Sequence, residues 1–125
     1  MRTLLRNGRL VSPDRDHAGS ILLDGDKIEQ ILLASEELPT ADREIDLAGK
    51  TVLPGFIDIH SHGRGGADFC DGTPEAFETI GNGKLSEGVT SFLATTLTVS
   101  TDDITKVCQC AENYRKTNRT GARLL

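Results

Sequence analysis

The sequence predicts an α/β fold in two parts, a small all-β region to about Leu53 followed by strand–helix units on a parallel sheet. Three observations lead there. Before Leu53, short apolar alternations are broken by the turn formers Asn7-Gly8, Asp24-Gly25 and Ala48-Gly49-Lys50. After it, the run Phe56-Ile57-Asp58-Ile59-His60 suits a buried parallel strand. Further strand openings near Val89 and Ala122 then follow at intervals of about thirty residues, the period of a βαβ unit.

Taken in order, residues 3–6 and 9–11 flank Asn7-Gly8, and residues 20–23 and 27–33 flank Asp24-Gly25-Asp26. Both dipeptides tolerate the positive φ of tight hairpin turns, so two hairpins are expected. Pro54-Gly55 leads into the first parallel strand, and a Gly-rich loop, 63–72, follows it. Thr73 can cap a helix with Pro74 in its first turn and Ala76, Phe77, Ile80 and Leu85 on its inner face. Gly88 stops that helix, and Gly81 and Gly83 weaken it. Residues 89–94 form the second strand. Ser100 with Asp103 offers a capping box for a second helix with Ile104, Val107, Cys108 and Ala111 as its apolar positions. Residues 122–125 open a third strand. Such alternation implies a parallel sheet, either open or closed into a barrel, and a closed (β/α)₈ barrel needs roughly 250 residues. The 125 residues here could only begin one.

Composition narrows the function classes. The net charge of −5 carries no basic cluster to follow a nucleic acid backbone or an anionic membrane. No stretch approaches an apolar membrane span, and the N-terminus lacks the pattern of a secretory signal, so a cytoplasmic setting is expected. Cys70, Cys108 and Cys110 match neither a disulfide framework nor paired zinc ligands, and they read as reduced thiols.

The residues that carry chemistry are His60-Ser61-His62, at the C-terminal end of a predicted parallel strand, where α/β enzymes keep their sites. Residues i and i+2 of a strand face the same way, roughly 6.6 Å apart, so two imidazoles can converge on one divalent ion. Gly63 lets the chain turn away directly afterwards. By the same alternation Asp58 shares the histidines' face, either supporting them from behind or simply ending the strand. His17, flanked by Asp16 and Ala18, reads as a solvated loop residue. Gly63-Arg64-Gly65-Gly66 is not a dinucleotide-binding pattern, and Thr95 and Thr96, at the end of the second strand, could line a site.

The segment from Pro54 to Gly63, with its two histidines, resembles the first barrel strand of the amidohydrolase superfamily. The blocks His62-Gly63-Arg64-Gly65-Gly66-Ala67-Asp68-Phe69, Asp71-Gly72-Thr73-Pro74-Glu75-Ala76 and 88–98 resemble the N-acetylglucosamine-6-phosphate deacetylases in particular. The resemblance implies a small β-sandwich portion over 1–53 and the first βα units of a truncated (β/α)₈ TIM-type barrel over 54–125. It implies His60 and His62 as ligands of a divalent metal, zinc or iron, with one or two ions per site. It further implies metal-dependent deacetylation of an amino sugar phosphate by a cytoplasmic homodimer in the full-length enzyme.

In that family the other ligands and the catalytic aspartate lie on later strands, so no catalytic residue is expected in this chain and the fragment alone is expected to be inactive. Its open sheet edges predict aggregation, swapping or pairing. Two rivals remain: a cyclic amide hydrolase of the dihydroorotase or hydantoinase type, and a non-catalytic binding or structural fragment.

Overall fold

A computed structural model describes residues 1–125, which divide into two compact units, Met1–Pro54 and Gly55–Leu125. The first unit is one mixed sheet built from β1 (Arg2–Ser12), β2 (Arg15–Asp24), β3 (Lys27–Leu33), β4 (Arg43–Asp46) and β5 (Thr51–Val52). Its order is β3-β2-β1-β4, with β5 also on β1 and with β4 and β5 parallel to β1. The unit itself contains no second packed sheet. Leu4, Leu22 and Leu32 form its buried cluster.

The hairpin expected at Asn7-Gly8 is not there. β1 runs straight through the dipeptide, and its register against β2 shifts between Leu5 and Gly8. Asn7 does take a positive φ of 58°, but the turn chemistry is spent on a bulge rather than a reversal. Asp46 fixes the Asn7 amide from β4, and the chain reverses instead at Pro13-Asp14. The Asp24-Gly25-Asp26 hairpin between β2 and β3 forms as expected, with Gly25 at φ 57°.

The second unit holds β6 (Phe56–Ser61), β7 (Gly63–Arg64), β8 (Ala67–Asp68), a 3₁₀ turn at Phe69–Asp71, α1 (Pro74–Ser86), β9 (Val89–Ala94), α2 (Thr101–Thr117) and β10 (Arg123–Leu124). β6, β9 and β10 make a parallel sheet in the order β10-β9-β6, each crossover carrying a helix, while β7 and β8 pair as a short hairpin. Thr73 caps α1 by accepting from the Ala76 N–H, and Ser100 caps α2 by accepting from the Asp103 N–H.

Both helices turn slightly from their expected faces. On α1, Leu85 is exposed and Lys84 is buried beside Ala76, Phe77, Ile80 and Gly81. On α2, Val107 and Tyr114 are buried with Cys110 and Ala111 against them, while Cys108 faces solvent. Gly81 costs helix propensity because Tyr114 needs its space: a Cβ at Gly81 would collide with the Tyr114 hydroxyl. Phe69, Phe77, Phe92 and Tyr114 pack ring against ring, with centroids 5.1 to 6.1 Å apart, and this aromatic cluster is the core of the unit. Ile57, Ile59 and Leu93 of the same sheet remain exposed.

Candidate metal centre

His60 lies in the last turn of the pleat in β6, and His62 sits one residue past its end, next to Gly63. Their ring centroids are 5.2 Å apart and the ring planes meet at 78°. Ring Nδ1 of His62 is buried without a hydrogen-bond partner. An orphaned buried imidazole nitrogen is costly unless something external takes its lone pair or its proton. Two neighbouring imidazoles, one with an unclaimed buried nitrogen, are a donor set that fits part of the ligand shell of a borderline cation such as zinc. No group of three or more histidine, cysteine or carboxylate side chains converges anywhere in the chain.

The backbone around the pair is anchored on both sides. The His62 carbonyl accepts from the N–H of Phe69, whose ring is fully buried in the aromatic core. The hairpin of β7 and β8 closes through Gly65 and Gly66, at φ 67° and 84°. Gly63 permits it, because a Cβ there would strike the Ala67 carbonyl. Across the sheet, the Thr95 N–H donates to the Ser61 carbonyl at 2.8 Å, and the Ser61 N–H donates to Thr95 Oγ1 at 3.2 Å. Thr95 thus ties the ends of β6 and β9 together.

Asp58 does not share the histidines' face. β6 pairs with β9 at Asp58↔Phe92 and next at Ser61↔Ala94, so β6 carries one extra residue there, a bulge that shifts the alternation. Asp58 and Ser61 consequently both reach the ammonium of Lys84, each at 2.7 Å. The other Asp58 oxygen accepts from the His60 backbone N–H at 3.1 Å. The Lys84 hydrogen bond, then that from His60, holds the Asp58 carboxyl below the usual carboxylate range. Neither oxygen is spent on an imidazole nitrogen.

Lys84 escaped the sequence reading, although its signal was present. It stands four residues after Ile80 and seven after Phe77, on the apolar stripe of α1. A cation on such a stripe calls for a buried partner.

His17 is not a loop residue. It pairs with Leu10 inside the hairpin of β1 and β2, and it lines an apolar recess of about 180 Å³ with Leu10, Ile21, Ile28, Ile31 and Val52. That recess belongs to the first unit and holds neither His60 nor His62. Cys70 accepts from the Leu97 N–H and Cys110 contacts the Gly72 carbonyl, so both are packing thiols.

No family model matches the chain. It is 35% identical over 113 residues to the N-acetylglucosamine-6-phosphate deacetylase of Lysinibacillus sphaericus, a match covering 89% of this chain and 29% of that protein. It is 31% identical over 112 residues to the imidazolonepropionase of Paenarthrobacter aurescens, covering 84% of this chain and 26% of that one. The crystal structure of N-acetylglucosamine-6-phosphate deacetylase from Pasteurella multocida superimposes with a TM-score of 0.86 and 25% identity, over 98% of this chain and 32% of the other. The chain therefore spans less than a third of the length of each relative.

Proposed function

We propose that this chain, whose neighbours in sequence and fold are N-acetylglucosamine-6-phosphate deacetylases, supplies the first strand–helix units of a (β/α)₈ barrel that deacetylates an amino sugar phosphate. In this reading His60 and His62 hold a divalent ion, zinc or iron, at the C-terminal end of the first barrel strand. When bound, such an ion acidifies water and polarises an amide carbonyl.

The chain's own residues bind and orient. The two imidazoles present their nitrogens, Gly63 and the β7–β8 hairpin carry the backbone away from them, and Phe69 fixes the far side of that loop in the core. The remaining ligands and the proton-transferring carboxylate would come from outside these 125 residues, which leaves the chain inactive by itself. The observation that carries the proposal is the unpartnered buried Nδ1 of His62 within 5.2 Å, ring to ring, of His60.

The similarity to an imidazolonepropionase favours a second reading within the same superfamily, hydrolysis of a ring amide. A chimera tests both. With this chain replacing the matched segment of the Lysinibacillus sphaericus deacetylase, acetate release from N-acetylglucosamine 6-phosphate is expected, and His60→Ala or His62→Ala should abolish it. Hydrolysis of ring amides such as hydantoin or dihydroorotate without acetate release would select the second reading. Activity indifferent to both substitutions would contradict the metal assignment.

A further inference from the structure

We propose that Lys84 is a positioning residue, whose buried ammonium locks the bulge in β6 that turns His60 and His62 to one side; its use in metal binding rests on the function proposed above. The Lys84 side chain is 5% exposed and emerges from α1 beneath the sheet. Its Nζ donates to Asp58 and to Ser61, the two residues that bracket the extra residue of the bulge. The fully buried ring of Phe92 lies 5.7 Å from the same nitrogen.

The two contacts extend to the backbone on either side of the histidines. Asp58, once held by Lys84, accepts the His60 N–H, a donor that an unbulged strand would direct to its neighbour. Ser61, held from the same atom, donates to the Gly63 carbonyl just beyond His62. One cation thereby fixes the chain before, between and after the pair. Without it, β6 could recover a regular register, and a shift of one residue moves a side chain to the opposite face. Burying a cation is costly unless it is paired and hydrogen-bonded, and here both partners belong to the strand that bears the histidines.

Amide exchange of the metal-free chain tests this directly, with Lys84→Met compared against wild type and Lys84→Arg. Lys84→Met is expected to speed exchange at Ser61 and Thr95 about tenfold or more while Ala122 and Leu125, bonded to Gly81 and Phe92, keep their protection; Lys84→Arg should restore most of the difference. Zinc affinity, followed on the imidazole nitrogens, should fall with Lys84→Met by about 10-fold to 100-fold. Unchanged exchange at Ser61 and Thr95, or an equal loss at Ala122 and Leu125, would overturn the proposal. If Lys84→Met unfolds the unit, Asp58→Asn, which keeps the acceptor for His60 but weakens the hold of Lys84, is judged by the same amides and criteria. Wild-type imidazoles that ignore zinc would sink the metal reading alone, because the exchange result still decides what Lys84 does.

Discussion

Met1–Pro54 contains no phenylalanine, tyrosine or tryptophan, whereas Gly55–Leu125 contains all four phenylalanines and the single tyrosine. The buried apolar side chains of the first unit are all aliphatic, with Leu4, Leu22 and Leu32 as its cluster and Leu10 and Ile21 also buried, and Ile28, Ile31 and Leu33 are left in water. The second gathers every phenylalanine and tyrosine ring but that of the exposed Phe56 between the sheet and the helices, with Phe69, Phe77 and Phe92 fully buried. Large rings bury more apolar area per residue than leucines, so a short stretch of chain can close a core around them. The difference bears on function, because the loop that follows His62 is pinned to that core through Phe69.

The largest effect expected from this contrast is that of Phe92→Ala, which should cost the second unit about 3–5 kcal/mol. Denaturant unfolding followed by Tyr114 fluorescence would measure it, since Tyr114 is the sole tyrosine and there is no tryptophan. Next comes Leu22→Ala in the first unit, at about 2–3 kcal/mol, the low part of the range because a three-leucine cluster can collapse around the gap. Its amides should exchange faster while the Tyr114 signal stays put.

Tyr114→Phe should cost the second unit about 1 kcal/mol, through the lost hydrogen bond to the Ala122 carbonyl. It also has a pH signature. Burial, and secondarily Glu78, pushes the Tyr114 phenol above its ordinary value near 10. The folded state therefore resists ionisation more than the unfolded one. The corresponding stability is present below about pH 10 and fades as pH rises through the higher folded value. A stability profile from pH 8 to 12 should bend downward for wild type and lose that bend in Tyr114→Phe. The smallest effect is expected for Arg9→Gln, which removes an exposed bidentate pair with Asp16 and should leave the first unit's unfolding midpoint where it was.

What could be read from the residues follows the same divide. Elements with a local chemical marker were legible: Thr73-Pro74 and Ser100 with Asp103 begin their helices where capping chemistry puts them, and 89–94 is a strand. The histidines, expected at the end of a parallel strand, are there. Misreadings came where a local signal has two structural uses. Asn7-Gly8 serves a bulge as readily as a turn, and only the pairing of β1 with β2 and β4 decides between them. The bulge in β6 likewise moves Asp58 off the histidines' side, and strict alternation cannot foresee it. Lys84 was hidden because its partners lie 23 and 26 residues away in sequence. His17 alternates into a strand that a turn-based reading had placed elsewhere.

Zinc titration of the chain labelled with ¹⁵N at histidine is the most direct measurement, since its spectrum contains only His17, His60 and His62. A shared cation requires the nitrogens of His60 and His62 to shift together along one saturation curve while His17 stays still, and His62→Ala to abolish the response of His60. Resonances of His60 and His62 that move no more than those of His17 would contradict it.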